Sequence, residues 1–365
     1  MKGVFQMNVV LFGYGYMGRL IYKFLKENQS VKNIYIVDPN PRCEPPVACY
    51  DTFENLPEDA NVSAAFIASN SITHCDVLEK VLKAGIKNIF CEKPMCLTQD
   101  EYKRVQNVAP KDARIVVDYL LRSSGAVRAV QKKIQLLKNA GYKLIGGQVD
   151  YGKDKTKDPR RFRDIGVYEE LYHIWDLCLN GPLFGKLKDV QVARNIPMPD
   201  EKIDGRIIQQ RFKYILTDEN DEKIPLKLMS SFQKSRRQRS FIFFFSKKEA
   251  EVGKNKVEQF NLDEKEKTRI VSLIFDNDFK KDQCLTIDEY NHVERLDFEA
   301  NKKLENMIND SIIYFSTGKK ASYLHSAEDS QAFHTLLEQM KQVAPMNKSA
   351  IMERIVQKKH EQHIH

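Results

Sequence analysis

The chain has 365 residues, of which 42% are hydrophobic and 30% are charged. This length favours two domains, and the composition is typical of a soluble globular protein. The net charge of +8 comes from basic residues interleaved with acidic ones, which argues against nucleic-acid binding. We expect no membrane-spanning helix, because no stretch approaches the ~18 apolar residues that one needs, and no signal peptide at the N-terminus.

Cysteine usage points to a reducing compartment. The seven cysteines are odd in number and form no CxxC pair, which fits neither a disulfide framework nor a zinc ribbon. The sequence therefore predicts reduced thiols in a cytoplasmic protein that has no metal site.

The first part of the chain alternates short apolar runs with segments of helical periodicity. The apolar runs, predicted as strands buried on both faces, are 8–13, 33–38, 62–69, 88–94 and 114–120. Helical patterns such as 16–27 and 73–84 lie between them. This βαβ alternation predicts an α/β fold whose N-terminal domain, residues 1–122, is a Rossmann domain with a doubly wound parallel sheet.

The pattern changes after residue 122. The predicted elements are a helix at 125–139, a strand at 143–152, several strands between 188 and 300, and helices at 298–316 and 326–343. They predict a C-terminal α+β domain over 123–345 with a large, mostly antiparallel open sheet. Residues 346–365 are expected to form a C-terminal helix or tail.

A glycine motif follows the first predicted strand. Gly13, Gly15 and Gly18 form G-x-G-x-x-G at the start of a helical segment. The first glycine allows a tight turn, the second lets the backbone approach a pyrophosphate, and the third lets helix and strand pack closely. Tyr16 and Met17 lie inside the motif and are included in the predicted cofactor site.

Asp38 ends the second predicted strand, 20 residues after Gly18. A carboxylate there can accept the adenosine ribose hydroxyls, so the motif predicts dinucleotide binding, and a glycine turn beside an unrelated acidic loop is the alternative. Asp38 would repel a 2′-phosphate, which favours NAD over NADP. Arg42 could offset that repulsion, so NADP stays open.

The segment AFIASNSITHCDVLEKVLKAGIKNIFCEKPMCLT contains the signature Glu92-Lys93-Pro94. It resembles the corresponding segment of the Gfo/Idh/MocA oxidoreductases (glucose-fructose oxidoreductase, inositol dehydrogenase and relatives). The resemblance continues through VVDYLLRSSGAVRAVQKKI, GVYEELYHIWDL and SAEDSQAFHTLLEQM, and so covers nearly the whole chain. It implies an NAD(P)-dependent dehydrogenase or ketoreductase acting on CH–OH groups of a sugar, cyclitol or nucleotide sugar.

The resemblance also implies roles for individual residues. The family's signature lysine, its helical histidine and the acid four residues earlier carry over to Lys93, His173 and Glu169 as the catalytic group. Residues at the cofactor are Ser69, Asn70, His74, Glu92 and Lys93. The Lys93–Pro94 peptide bond is expected to be cis.

Four residues depart from the family's pattern. Ser69-Asn70 replaces the usual Thr-Pro, Glu169 replaces an aspartate, and Tyr172 replaces a small residue. Substrate identity therefore cannot be copied from relatives. The expected substrate-binding residues are Lys93, Tyr119, Arg122, Glu169, Tyr172 and His173, with an interdomain salt bridge as the alternative role of Arg122 and Tyr119.

Glu169, His173 and Asp176 are spaced i, i+4, i+7, which places them on one side of a helix. A solvated face is the alternative interpretation. In a dehydrogenase, a histidine with an ordinary pKa of about 6.5 could hold or return the hydroxyl proton, and Lys93 could polarise the developing alkoxide. Asp176 is expected to be structural or to contact the ring.

Two basic segments, 153–163 and 234–240, could bind a substrate phosphate, although solvated loops are the simpler interpretation. The apolar strands after residue 240 suggest a homodimer or homotetramer formed through the C-terminal sheet, to which the family resemblance also points. A dinucleotide-binding regulator that keeps the fold without catalysis is the alternative function.

Overall fold

The computed structural model describes residues 6–40, 48–154, 168–179, 183–185, 187–197, 202–203, 206–207, 209–247, 268–276, 281–330 and 333. By their contacts, the residues form two compact units. The first combines Met1–Ser123 with Asn301–His334, and the second contains Ser124–Ala300.

The first unit is built on a parallel sheet. Its strands are β1 (Met7–Phe12), β2 (Val31–Val37), β3 (Cys49–Tyr50), β4 (Val62–Ile67), β5 (Asn88–Glu92) and β6 (Arg114–Asp118). Its N-terminal helices are α1 (Tyr16–Glu27), α2 (His74–Lys83) and α3 (Gln99–Val108). The spatial order β6-β5-β4-β1-β2-β3 is that of a dinucleotide-binding doubly wound sheet, with the topological switch point between β1 and β4, so the predicted Rossmann fold is confirmed.

Helix α3 was not among the elements named from the sequence. It begins with a capping box, in which the Thr98 hydroxyl accepts the Glu101 N–H at 3.1 Å and the Glu101 carboxylate accepts the Thr98 N–H at 3.3 Å. Its buried contacts come mainly from Tyr102 and Val105. This T-x-x-E signature marks a helix start even where apolar residues are few.

The second unit contains a large open sheet. Its elements are α4 (Gly125–Asn139), β7 (Lys143–Asp154), α5 (Tyr168–Leu179), β8 (Leu187–Pro197), β9 (Lys202–Ile203), β10 (Arg206–Ile207), β11 (Gln209–Asp218), β12 (Lys223–Ser231), β13 (Gln233–Ser246), β14 (Arg269–Asp276), β15 (Lys281–Ile287) and β16 (Val293–Glu299). Eight strands pair in the order β16-β15-β14-β13-β7-β12-β11-β8, and β7 with β12 is the one parallel pair in this sheet. The predicted mostly antiparallel sheet is confirmed.

Helices α4 and α5 lie against this sheet: α4 packs on β14, β15 and β16, and α5 on β7 and β12. Basic segment 234–240, interpreted from its charge as a solvated loop, lies within strand β13. That interpretation was wrong because the end of the segment, Gln238 to Ser240, pairs with β7, and a strand tolerates charged residues where the sequence alone suggests a turn. The other basic segment falls almost entirely outside the described residues, as does the tail 346–365.

The chain returns to the first unit through α6 (Lys303–Thr317) and β17 (His325–Ser326). Met307, Ile312 and Phe315 of α6 join the core formed by the parallel sheet, and β17 pairs antiparallel with β6. Residues 301–334 therefore group with the first unit, whereas the sequence assigned them to the second. The reason is that the apolar face of α6 completes a core formed far earlier in the chain.

The helix expected at 298–316 corresponds to α6. The helix expected at 326–343 starts differently, because Ser326 ends a strand and Glu328–Ser330 form a 3₁₀ turn. Apart from Phe333, the remainder of that segment lies outside the described residues. None of the helices in the described part of the chain is long and apolar enough to cross a bilayer.

The described cysteines are not all reduced. Cys75, Cys91, Cys96, Cys178 and Cys284 are free thiols, whereas Cys49 of β3 is disulfide-bonded to a partner outside the described residues. This corrects the expectation that every thiol is reduced. An odd count without CxxC spacing gives no sign of a bond between cysteines separated by other distances.

Candidate functional site

The glycine turn between β1 and α1 is shaped by close backbone approach. Gly13 has φ +85°, and a Cβ there would lie 2.6 Å from the Ser69 Cα. A Cβ on Gly18 would lie 2.0 Å from the Gly13 carbonyl oxygen. By contrast, a Cβ on Gly15 would meet nothing within 4 Å. The motif thus packs tightly at its first and third glycines and leaves space at the second, as a bound pyrophosphate requires.

The same turn presents hydrogen-bond donors. Helix α1 has Gly15 as its N-cap and no side chain that caps its first turn, so its N–H groups remain available to an anion. Asp38 accepts the Tyr14 N–H at 2.7 Å and the Asn40 N–H at 2.9 Å, which fixes its carboxylate beside the glycine turn. Tyr16 is 80% exposed at the mouth of the turn, and Met17 is partly buried. These residues fit a dinucleotide.

His74 connects the loops that follow β4 and β5. Its Nδ1 lies 2.8 Å from the Pro94 carbonyl oxygen and its Nε2 lies 3.1 Å from the Ser69 carbonyl oxygen. Because both partners can only accept, both bonds form only when both ring nitrogens carry a proton. His74 is 1% exposed. We therefore assign it a structural role that holds two cofactor-side loops together.

Ser69 and Asn70 form an ordered turn. The hydroxyls of Ser69 and Thr73 are 2.8 Å apart, and the Asn70 side chain accepts the Ile72 N–H. This 3₁₀ turn leads directly into α2. Serine and asparagine therefore build a hydrogen-bonded turn at the position where the family uses Thr-Pro.

Lys93 follows β5 at the same edge of the sheet as the glycine turn, because both lie at carboxyl ends of parallel strands. The Lys93–Pro94 bond is cis, as expected. Lys93 is partly buried, and its charge acts to lower the pKa of both Glu92 and Asp118 against the effect of burial. Open α/β sheets bind their ligands at this edge.

Glu92, a predicted cofactor residue, lies opposite Asp118, which the sequence interpretation did not include. Burial raises the pKa of Glu92, and burial together with the charge of Glu92 raises the pKa of Asp118 well above its usual range. Asp118 is fully buried and Glu92 Oε1 is shielded from solvent. Both Asp118 oxygens and Glu92 Oε1 are buried without a hydrogen-bond partner among the described residues, so desolvation disfavours ionisation of both carboxyl groups at once beside Lys93.

In the second unit, His173 and Asp176 lie on α5 with exposures of 6% and 0%. The Tyr151 ring of β7 lies 6.4 Å from the His173 ring, with an interplanar angle of 29°. His173 Nδ1 is shielded from solvent. Glu169 lies on α5, but its side chain is outside the described residues. The solvated-face alternative is wrong for His173 and Asp176, because both are buried.

The remaining predicted substrate residues are buried. The Tyr119 ring centroid lies 4.4 Å from that of His325 and 5.5 Å from that of Phe333. Arg122 is 7% exposed, in a 3₁₀ turn after β6. Tyr172 is 1% exposed and meets Trp175 edge-on at 5.5 Å. Tyr119 and Tyr172 therefore pack within their own units. Contact of either residue with a substrate remains a prediction.

Among the described residues, one acidic cluster has spacing suitable for a metal: Cys75, Asp76 and Glu79. Arg104 occupies it, donating to Asp76 at 2.6 Å, to Glu79 at 2.6 Å and to the Cys75 sulfur at 3.4 Å. A guanidinium already neutralises these ligands, so the cluster is an ion-pair network.

Comparison with known proteins agrees with this geometry. Residues 7–119 match the family model GFO_IDH_MocA, described as "Oxidoreductase family, NAD-binding Rossmann fold". Over these residues the chain is similar to the NAD-binding domain of the Gfo/Idh/MocA oxidoreductases. The resemblance inferred from the sequence is thereby confirmed, and with it NAD(P) as the cofactor of the family's Rossmann domain.

A curated relative and two solved structures extend the comparison. Inositol 2-dehydrogenase of Rhizobium meliloti (strain 1021) is 28% identical over 130 residues, which are 34% of this chain and 39% of that protein. Aldose-aldose oxidoreductase of Caulobacter crescentus superposes with a TM-score of 0.68 at 13% identity, covering 93% of this chain and 98% of that one. UDP-N-acetylglucosamine 3-dehydrogenase of Acidithiobacillus ferrooxidans gives 0.65 at 15% identity, with coverages of 93% and 98%. At such identities these structures establish the fold of both units.

Proposed function

We propose that the protein is an NAD-dependent oxidoreductase that transfers a hydride between nicotinamide and a carbinol or ketone carbon of a sugar, cyclitol or nucleotide sugar. The observation that carries the proposal is the carboxyl edge of the parallel sheet, where the open glycine turn follows β1 and Lys93 follows β5, with β4 between the two strands. The inositol 2-dehydrogenase relative and the sugar-oxidoreductase fold neighbours support the substrate class.

NAD is the proposed dinucleotide. Asp38 is held beside the glycine turn by two backbone N–H groups, which keeps its carboxylate where the adenosine ribose would lie. A fixed negative charge there disfavours a 2′-phosphate and can accept hydroxyl donors instead. Cofactor preference is measured as kcat/KM with NAD⁺ divided by kcat/KM with NADP⁺. We expect Asp38→Ala to lower this ratio.

The chemistry assigned to the side chains follows from charge. When bound, nicotinamide supplies the hydride acceptor. Lys93 would place its ammonium on the substrate oxygen and stabilise the negative charge that grows as the hydroxyl proton leaves. His173 would take that proton at Nε2, since its Nδ1 is shielded from solvent. In the reverse direction His173 returns the proton to the new alkoxide.

The experiment follows nicotinamide absorbance with pure protein, NAD⁺ or NADH, and a panel of polyols, hexoses and UDP-sugars. Lys93→Ala and His173→Ala should each lower kcat/KM by about 10²-fold or more, as loss of a charge stabiliser or of an acid–base group does. Neither substitution should abolish NADH binding. Lys87→Ala and His292→Ala, at exposed positions of the same residue types, serve as matched controls.

Tight NADH binding without turnover of any panel member would overturn the enzyme proposal and favour the alternative, a dinucleotide-binding regulator. Activity that survives in both variants would instead remove Lys93 and His173 from the catalytic assignment while leaving the oxidoreductase class intact.

We also propose that the protein is a homo-oligomer whose eight-stranded sheets face each other. Residues that alternate with the fully buried ones on β13 and β14, namely Ile242, Phe244, Ile270 and Ile274, are only partly buried. The face that packs on α4 and α5 contains Phe241, Phe243 and Leu273, which are fully buried. A second copy would remove the partly exposed apolar face from water.

We propose a cytoplasmic location as well. The free thiols favour a reducing compartment, whereas the Cys49 disulfide argues against one.

A further inference from the structure

A row of polar side chains crosses the sheet beneath α5. Gln210 of β11, Ser230 of β12, Tyr151 of β7 and Arg239 of β13 are neighbours in register across four adjacent strands. Because residues in direct register share a face, all four point to the same side. The ring contact between Tyr151 and His173 identifies that side as the one that carries α5.

The next row on this face is entirely apolar. Two residues further along, the corresponding in-register positions are Phe212, Leu228, Val149 and Phe241, each no more than 2% exposed. The polar row therefore interrupts a buried face, since Gln210, Ser230 and Tyr151 are no more than 1% exposed. Polar groups placed in register on a buried face, next to a buried histidine, are expected where a polar ligand is received.

Arg239 differs from the rest of the row by its charge. Its guanidinium carbon lies 4.8 Å from the centre of the Tyr151 ring, a cation–π contact. Within the part of the chain that the structure describes, Arg239 has neither an ion pair nor a hydrogen bond, and its Nε is shielded from solvent. Asp150, which precedes Tyr151 on β7, lies on the opposite face and pairs with Lys234 at 3.2 Å.

A guanidinium in this position lacks the anion that normally compensates a partly desolvated charge. Stacking on a ring offsets only part of the desolvation cost, whereas a carboxylate that accepts two parallel N–H bonds offsets much more. Stacking also fixes the plane of the guanidinium, leaving its outer edge as a preformed fork. Arg239 is therefore organised for an anion that the described side chains do not supply.

We propose that Arg239 binds a carboxylate of the substrate, so that the sugar-like molecule is a sugar acid. The inference rests on the proposed function, because it assumes that the substrate hydroxyl meets His173. Tyr151 contacts both Arg239 and His173, at 4.8 Å and 6.4 Å, so one sugar-sized ligand can reach both groups. The carboxylate would orient the substrate, and Arg239 would determine specificity without taking part in hydride transfer.

The first experiment measures binding without turnover. Calorimetry in the presence of NADH compares hexonates and hexuronates with the corresponding neutral sugars and with hexose 6-phosphates. We expect the wild-type protein to bind the acids at least ~10-fold more tightly than the neutral sugars. Arg239→Gln should remove that preference while NADH affinity stays unchanged, and Arg239→Lys should retain part of it because a single charge remains.

Arg211→Gln is the matched control, since Arg211 is an exposed arginine of the same sheet. Circular dichroism and Tm verify that each variant is folded, and Arg239→Lys keeps the test valid if the glutamine variant does not fold. The kinetic expectation is a rise in KM for acids of about 10²-fold in Arg239→Gln, with kcat changing much less.

Several results would overturn the proposal. Equal wild-type binding of acids and neutral sugars would do so, as would a preference for acids that survives in Arg239→Gln. A stronger preference for hexose phosphates would replace the carboxylate with a phosphate. Turnover of neutral sugars that is insensitive to Arg239 would reject this inference alone, whereas the absence of both binding and turnover for every compound would reject the proposed function as well.

Discussion

Glu92 and Asp118 lie opposite each other in register at the carboxyl ends of β5 and β6. Two ionised carboxylates at such positions repel each other, so their simultaneous ionisation is disfavoured. Burial and the charge of Glu92 raise the pKa of Asp118, whereas the charge of Lys93 acts to lower it. The pair thus lies in the electrostatic surroundings of the predicted catalytic lysine.

Replacing Asp118 should change how stability depends on pH. A carboxyl whose pKa is raised on folding contributes stability below its unfolded pKa of about 4, and this contribution is lost as pH rises through the folded pKa. Asp118→Asn keeps the size of the side chain but cannot ionise. We therefore expect Tm to fall less between pH 5 and pH 8 in Asp118→Asn than in the wild-type protein, by several degrees.

Asp112→Asn is the control for that measurement. Asp112 is exposed, and its hydrogen bond with Lys87 lowers its pKa, so it does not share the sign of the Asp118 effect. Parallel pH profiles for wild-type protein and Asp118→Asn would show that folding does not raise the pKa of Asp118.

His74 should matter for cofactor binding although it has no predicted chemical role. His74→Ala leaves the carbonyl groups of Ser69 and Pro94 without their shared donor, and losing a buried partner costs about 1–3 kcal/mol. We expect NADH affinity to fall about 10-fold as the two loops loosen, together with a lower midpoint in urea. Fluorescence titration and equilibrium unfolding measure the two effects.

His292→Ala, at an exposed turn between β15 and β16, should change neither quantity. Unchanged NADH affinity in a destabilised His74→Ala protein would show that the loops keep their positions without the imidazole bridge.

Substitutions at two glycines of the turn should affect stability and cofactor binding differently. Gly15→Ala adds a methyl group where the protein leaves space, and the φ of −74° suits alanine, so unfolding should be nearly unchanged. NADH affinity should nevertheless fall by about 10-fold or more, because the methyl group would meet the pyrophosphate. Gly18→Ala should instead destabilise the protein by about 3 kcal/mol through its clash with the Gly13 carbonyl group.

Thermal unfolding and NADH titration of both glycine variants decide this prediction. If Gly15→Ala binds NADH as well as the wild-type protein does, the open space at Gly15 is not where the dinucleotide lies.

A charge introduced on the partly buried sheet face should separate subunits. Ile242→Lys places an ammonium on the face opposite α4 and α5, where a second copy would have to desolvate it. We expect sedimentation to shift from an oligomer toward the 42.4 kDa chain. Leu136→Lys, at a 51% exposed position of α4, is the matched control and should leave the oligomer intact. A monomeric wild-type protein would contradict the proposed assembly.

The parallel sheet could be predicted because its evidence is local. Strands buried on both faces appear as continuous apolar runs, and G-x-G-x-x-G specifies its own backbone geometry. Strand β17 and the packing of α6 could not be predicted in the same way. They depend on contacts between residues about 200 positions apart, such as the hydrogen bonds from Arg114 to the Tyr314 and Phe315 carbonyl groups.

The candidate site also combines residues that could be predicted from local sequence with residues that could not. Lys93 and His173 stand in motifs, so sequence could assign them roles. Asp118 and Arg239 could be recognised only from the register of the strands. Asp118 pairs with Glu92 on the adjacent strand, and Arg239 pairs with Tyr151. Arg239 also lies in a basic run that suggests a solvated loop, and composition cannot reveal which of its residues faces a core.

The division of the first unit into two sequence segments has a consequence during translation. A nascent chain that has passed Ser123 still lacks the helix that shields Val9, Phe66 and Phe90, and the ribosome must first synthesise all of Ser124–Ala300. The nucleotide-binding fold is thus the first to start and among the last to finish. Polypeptides that terminate early would expose a bare apolar surface, which chaperones and proteases recognise.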